Sequence, residues 1–246
     1  MKIENTPVLG GTAPRNATRT AKKLAGFALR WINSIESSLG RLRYLDVGCG
    51  NGFITELVAP GFEEVVGIDV EAARLEDFRA HSGNRSNSRV LLMSAANMEF
   101  PGKLFQFITA FEVLEHVPDL QASVGEMVRV CDDGGIIVVS VPQVRFPFEN
   151  HGAQIGDRLY TGKILLLPYI RPLHRKYSLA RVFSSAEMDQ LFLSNGNRRA
   201  AAIVVGQRLF GMHGHVQRDG KIASRARLPQ DPIVGAPQGG DVDFLG

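Results

Sequence analysis

Three glycines at alternate positions, Gly48, Gly50 and Gly52, close the run R-Y-L-D-V-G-C-G-N-G that spans Arg43 to Gly52. Without Cβ atoms the backbone there can turn sharply and lie directly against a ligand. Asp46 stands two residues before the first glycine. A carboxylate at such a loop repels phosphate and attracts an ammonium group. The acid and the spacing G-x-G-x-G therefore argue against a dinucleotide, whose pyrophosphate sits on a G-x-G-x-x-G turn at a helix N-terminus. Asp69 ends a second apolar run, E-E-V-V-G-I-D. A carboxylate at that place can accept hydrogen bonds from both hydroxyls of a ribose.

These residues need a strand, a tight turn and a helix to hold them, and the pattern supplies each. Apolar residues lead into the glycines, Phe53 to Ala59 can form a helix, and the run ending at Asp69 is a second strand. Further on, Glu71 to His81 reads as a helix, Val90 to Met93 as strand three and Phe105 to Phe111 as strand four. Leu120, Val124, Met127, Val128 and Cys131 form a helical stripe that the run Asp132-Asp133-Gly134-Gly135 is expected to stop. Ile136 to Val141 is a β-branched run suited to a strand buried on both faces, and Pro142 ends it. Ser184 and Glu187 make a capping box for a helix that Asn195-Gly196 stops, and Ala200 to Val205 reads as a sixth strand.

Upstream, residues 1–15 read as a flexible lead, followed by a helical stripe through Ala17, Ala21, Leu24, Ala28, Trp31 and Ile35 that ends near Gly40. Its opposite face carries Arg19, Lys22, Lys23 and Arg30, an ordinary solvated face. The expected domain is 16–216. Residues 143–181 form an irregular insert after strand five, interrupted by Pro147, Pro168 and Pro172 and expected to bind the substrate over the cofactor, and residues 217–246 are expected to be a disordered tail rich in Gly, Pro, Asp and Gln. The stretch from Gly211 shows no clear strand pattern.

With L-D-V-G-C-G-N-G, V-V-G-I-D, F-E-V-L-E-H-V-P-D and G-E-M-V-R-V-C-D-D-G-G-I-I-V-V-S-V-P in this order, the stretch from Leu42 to Val141 resembles the class I S-adenosylmethionine-dependent methyltransferases, in particular the quinone, sterol and small-molecule group. The resemblance implies an α/β, Rossmann-like, mostly parallel sheet flanked by helices, with S-adenosyl-L-methionine as cofactor. It places Asp46 near the methionine ammonium, Gly48, Gly50 and Gly52 under the cofactor, Asp69 on the ribose, Ser94 and Ala95 near the adenine, and Phe111 against the methionine half. Related sequences commonly carry an aspartate where this chain has Ser94. A seventh, antiparallel strand is normal in the family.

Methyl transfer from a sulfonium asks the protein mainly for alignment and desolvation, and a hydroxyl acceptor adds a use for a base. His116, in E-V-L-E-H-V-P, and His151, in P-F-E-N-H-G, are the candidates. Glu112, Glu115 and His116 also spell E-x-x-E-H, similar to the metal motif of small-RNA 2'-O-methyltransferases and some quinone-precursor O-methyltransferases. Related enzymes carry those letters without a metal, so none is expected. The expected activity is O-methylation of an apolar or lipid-like small molecule. Its rivals are a metal-dependent RNA-terminal 2'-O-methyltransferase, a nicotinamide-dependent dehydrogenase, disfavoured by Asp46 and the glycine spacing, and a non-catalytic scaffold of the same fold.

The whole-chain numbers agree. The 246 residues, 44% hydrophobic and 22% charged, can bury one large α/β core. A net charge of +3 is a weak pointer to nucleic acid, and no nucleic-acid partner is expected. The first residues lack an apolar signal core and no apolar run can span a bilayer, so a cytoplasmic protein is expected. The two cysteines, Cys49 and Cys131, form neither a metal-type nor a redox pair. Oligomeric state is not readable from the sequence.

Overall fold

The computed structural model describes residues 19–29, 42–81, 86–144, 148–149, 151–160, 164–196, 201–208, 211–218 and 221–223. An eight-stranded sheet runs through it. Its strands are β1 (Arg43–Val47), β2 (Glu64–Asp69), β3 (Ser88–Leu92), β4 (Phe105–Phe111), β5 (Cys131–Val141), β10 (Ala201–Arg208), β11 (Gly211–Arg218) and β12 (Lys221–Ala223). Their spatial order is β12-β11-β10-β5-β4-β1-β2-β3, all neighbours parallel except β11, which runs antiparallel to β10 and β12. The chain winds one way from β1 to β2 and β3 and the other way to β4 and β5. The crevice where the direction reverses therefore opens between the carboxyl ends of β1 and β4, where ligands collect in open α/β sheets.

Each face of the sheet has its own core. On one, Leu45, Val66, Ile68, Ile108 and Val139 pack with Val124 and Met127 of α4 (Leu120–Val130) and Met188 and Phe192 of α6 (Ser185–Ser194). On the other, Tyr44, Val65, Phe107 and Val138 pack with Leu24, Phe27 and Ala28 of α1 (Arg19–Leu29) and Val58 of α2 (Phe53–Val58). The period of two along β1, β2 and β4 divides their side chains between these layers. All seven residues of β4 are buried, as a central parallel strand requires. Helix α3 (Ala72–His81) covers the glycine turn through Phe78 and Leu75. Ser184 and Glu187 form the expected capping box at α6.

Several expectations change. The run Asp132–Gly135 does not stop α4 as a cap. The helix ends at Cys131, already extended at φ −74° and ψ 135°, and β5 begins there. Phe105 pairs with Cys131 and Phe107 with Ile136, so the acid-glycine run is the extra chain of a bulge. A Cβ on Gly135 would lie 2.8 Å from Cys131 Sγ and 3.0 Å from the Gln106 carbonyl, which only glycine avoids. The stretch from Gly211 is also a strand. β11 pairs with β10 from Ala202↔Gln217 to Arg208↔Gly211, supplying the antiparallel strand that Gly211, Gly214 and the histidines His213 and His215 hide in the sequence. The sheet continues beyond residue 216 into β12. The expected lead at 1–15 lies outside the described residues, as do Ala17, Trp31 and Ile35 of the first helical stripe.

The insert is more regular than its prolines suggest. β6 (Phe148–Glu149) pairs with β9 (Ile164–Leu165), and β7 (Ala153–Ile155) forms a hairpin with β8 (Arg158–Tyr160). A 3-10 turn over Leu167–Tyr169 leads into α5 (Arg171–Tyr177), whose Pro172 occupies the first turn, where a missing N–H costs nothing. The segment after α5 is sewn to the sheet edge. The Arg181 amide donates to the Glu115 carbonyl, and the Arg181 guanidinium donates to the carbonyls of Val117 and Pro118.

Candidate active site

All three loop glycines adopt the left-handed conformation, with φ of 70° at Gly48, 54° at Gly50 and 80° at Gly52. Their surroundings differ. A Cβ on Gly48 would lie 2.3 Å from Val113 Cγ2, and one on Gly52 2.3 Å from the Phe78 ring. On Gly50 the nearest atom would be 4.0 Å away, so this residue alone looks into open space. The outer glycines let α3 and the loop after β4 close on the turn, while the middle one leaves room for a ligand. The turn is held by the Gly48 and Cys49 amides, which donate to the Ile68 carbonyl at 2.8 and 3.0 Å.

Asp69 joins that turn to β2. One carboxylate oxygen accepts from the Gly50 amide at 2.9 Å and the other from the Glu71 amide at 2.9 Å. Each oxygen keeps a second acceptor site.

Asp46 is buried, and its two oxygens accept from the hydroxyls of Thr55, at 2.5 Å, and Thr109, at 2.7 Å. Tyr44 Oη lies 2.7 Å from the Thr109 hydroxyl, extending the chain to four groups from β1, β4 and α2. Burial pushes the Asp46 carboxyl up to about 6, against the opposing pull of the hydroxyls. Burial and the neighbouring Asp46 raise the Tyr44 phenol well above its ordinary value. Tyr44, Thr55 and Thr109 were not singled out by the sequence, where hydroxyl residues on apolar strands and helices carry no spacing signal.

Ser94 is exposed and its hydroxyl accepts from the Ala96 amide at 3.2 Å; Ala95 is buried beside it. Phe111 is buried in the layer beneath α1 and α2. The next residue, Glu112, has φ of 56°, a conformation that costs a non-glycine residue on the order of 1–3 kcal/mol and clusters at functional sites. Its amide donates to the Ser140 carbonyl, and its Oε1 accepts from the Ser140 hydroxyl at 2.8 Å.

His116 and His151 come together, their rings edge to face with centroids 5.2 Å apart. His151 Nε2 is 3.8 Å from Oε1 of Glu115, which is buried. One donor atom from each of Glu115, His116 and His151 lies within 4.8 Å of the others. The grouping differs from E-x-x-E-H: Glu112 turns to Ser140, and His151 from the insert takes part instead. Spacing could not have revealed that pairing.

Residues 45–139 match a family model described as a methyltransferase domain. A ubiquinone biosynthesis O-methyltransferase of Bordetella bronchiseptica is 35% identical over 115 residues, covering 46% of this chain and 47% of that relative. The chain thus spans about half the length of the curated relatives it matches. Among solved structures, the YcgJ protein of Bacillus subtilis aligns with a TM-score of 0.53 at 23% identity, over 75% of this chain and 70% of that one. The [4+2]-cyclase SpnF aligns with a TM-score of 0.52 at 17% identity, over 75% and 60%. One architecture thus carries more than one chemistry.

The fold is that of the class I methyltransferases, and the matched segment within it is a methyltransferase domain. The cofactor of that matched domain is S-adenosylmethionine. The residues fit it: the space over Gly50 is one a Cβ would begin to fill, and Asp69 presents its carboxylate at the same turn. Among the described residues, no helix is long and apolar enough to cross a membrane.

Proposed function

We propose that this chain transfers a methyl group from S-adenosylmethionine to a hydroxyl oxygen of a small, apolar or lipid-like acceptor. The observation that carries the reading is the seating of the His116 loop on the glycine turn: Val113 fills the place a Gly48 side chain would need. His116 follows three residues after Val113 on the segment that borders the cofactor crevice, and His151 of the insert meets it there. The curated relatives named as ubiquinone biosynthesis O-methyltransferases support an oxygen acceptor.

The cofactor supplies an activated methyl group on a sulfonium, a good leaving group. In this reading the open backbone at Gly50 and the Asp69 carboxylate hold the cofactor, with Ser94 and Ala95 at the adenine and Phe111 at the methionine half. Ionised Asp46 favours the ammonium. His116 or His151 accepts the acceptor's hydroxyl proton, and the Glu115 carboxylate beside His151 stabilises the imidazolium. A cavity of about 480 Å³, its apolar wall formed by Leu120, Leu179, Phe183 and Leu191 and its charged wall by Glu115, Arg171, Arg175, Arg181 and Glu187, offers a space for the acceptor. Incubating the purified chain with labelled S-adenosylmethionine and a panel of lipophilic phenols should methylate oxygen, with the rate lost in His116→Asn or His151→Asn while S-adenosylhomocysteine still binds. Tight NAD binding, or turnover unaffected in both variants, overturns the proposal.

One observation favours a second reading, a metal-assisted transfer: Glu115, His116 and His151 converge closely enough to hold a divalent cation. Two imidazoles and a carboxylate suit Zn, Mn or Fe, and such an ion would lower the pKa of an acceptor hydroxyl. Turnover abolished by chelator and restored by one of these ions selects this reading; turnover kept in excess chelator removes it.

A further inference from the structure

Among the described residues, large apolar side chains in the open are concentrated on the insert. Outside it are exposed Val70 and Leu92, neighbours at the paired ends of β2 and β3, and Leu193 on α6. The β7–β8 hairpin exposes Ile155, Leu159 and Tyr160. Leu165, the last residue of β9, and Leu166 in the turn after it are exposed at 61% and 51% of their surfaces. Tyr169, Ile170 and Leu173 continue the surface through the 3-10 turn onto α5. These pieces form one body, because the 3-10 turn packs on both β6 and α5, and α5 packs on β7.

Two features say what covers this surface. Leu166 has φ of 64°, so the chain accepts a strained turn to present two leucines outward, which folding alone does not reward. The charges are one-sided: Arg158, Lys163, Arg171, Arg175 and Lys176 accompany the apolar residues from 155 to 176, against Asp157 as the single acid. Arg171 is paired with Glu187, but Arg158, Arg175 and Lys176 are exposed. Two copies meeting through this face would bring like charges together as their leucines approached. An anionic bilayer offers the matching arrangement, with phosphates for the cations, a headgroup zone for the tyrosines, and acyl chains for the leucine turn.

We propose that the insert is a peripheral docking surface for anionic lipid membranes, with the Leu165–Leu166 turn entering the interface and Arg158 and Lys176 contacting lipid phosphates. The surface lies beyond β5, on the carboxyl edge of the sheet, so docking would open the candidate site toward the bilayer. The proposal goes beyond the enzymatic reading, because lipid binding is measured without turnover.

The test is co-sedimentation of the full chain with vesicles of phosphatidylcholine, with and without phosphatidylglycerol. Binding is expected only when phosphatidylglycerol is present, and it should weaken as salt rises. Arg158→Glu with Lys176→Glu should lower the partition coefficient by at least about fivefold for each cation removed. Leu165→Glu should lower it about tenfold or more, and both variants should keep the wild-type affinity for S-adenosylhomocysteine, which certifies the fold. Absence of binding to phosphatidylglycerol vesicles overturns the proposal, as does binding unchanged in both variants. Sedimentation velocity showing a wild-type dimer that Leu165→Glu dissociates assigns the face to a second copy and overturns it too.

Discussion

Gly50 and Gly52 share a left-handed backbone but face opposite surroundings, so replacing each by alanine separates the demands of binding from those of folding. At Gly50 the added methyl meets no protein atom nearer than 4.0 Å, and the cost is the left-handed strain alone, about 1–2 kcal/mol. For a chain of this size that lowers Tm by roughly 2–8 °C. At Gly52 the same strain is joined by a Cβ 2.3–2.5 Å from three atoms of the Phe78 ring, which is buried and cannot swing into solvent. Overpacking of that kind adds about 1–3 kcal/mol, so Gly52→Ala should lose roughly twice the stability of Gly50→Ala or more. Binding should show the reverse order per unit of stability lost. The Gly50 methyl occupies the space assigned to the cofactor, and displacing the cofactor by even 1.4 kcal/mol reduces affinity tenfold. Scanning calorimetry without ligand gives the first quantity, and titration calorimetry with S-adenosylhomocysteine gives the second. A folded Gly50→Ala protein that binds like wild type would refute the placement of the cofactor over this turn.

Asp69→Ala removes both the proposed ribose acceptor and the clasp on the Gly50 amide. Loss of hydrogen bonds to a charged acceptor should weaken S-adenosylhomocysteine by about 1.5–3 kcal/mol, measured by calorimetry, and an unchanged affinity would count against the assignment. Asp46 has a folded pKa of about 6 against an ordinary 3.8, so the native chain keeps a proton that the unfolded chain has already released. Its contribution to stability is present in full below about 4 and is lost as pH rises to about 6. The urea midpoint of wild type minus that of Asp46→Asn should therefore fall across this window, and a difference that rises would refute the burial argument. Since the ammonium needs the ionised form, S-adenosylhomocysteine affinity should rise from pH 5 to pH 7 in wild type and stay flat in Asp46→Asn. Arg181→Met frees the carbonyls of Val117 and Pro118 and should reduce turnover more than cofactor affinity, because it loosens the loop carrying His116; equal loss of both would show that this loop is not specifically involved.

The central architecture was legible because its signals are local. The glycine turn, the β-branched run of β5 and the Ser184–Glu187 box each state their conformation within a few residues. β11 was not legible, because its pairing with β10 is a backbone matter that its glycines and histidines neither oppose nor announce. The acid-glycine run at Asp132–Gly135 resembles a helix stop, and only the register of β4 against β5 reveals a bulge. At the candidate site, Asp46 and Asp69 were picked out by spacing from the glycines, whereas the hydroxyl partners of Asp46, Thr55 and Thr109, depend on which elements pack against β1. The meeting of His151 with Glu115 and His116 follows from the path of the insert across the sheet edge, and no local pattern encodes it.

The strand order β5-β4-β1-β2-β3 also bears on how the chain is born. During synthesis β1, β2 and β3 emerge first and can pair, but β1 must wait for residues 105–111 before its other edge is covered. Until then Asp46 lacks the Thr109 hydroxyl and the nascent sheet presents an open edge, the kind of surface that invites mispairing with another chain. Arrival of β4 covers that edge of β1 and completes the hydroxyl chain in one step, passing the open edge on to β4 until β5 emerges, so residues that bound the ligand crevice also time the closing of the sheet's centre during synthesis.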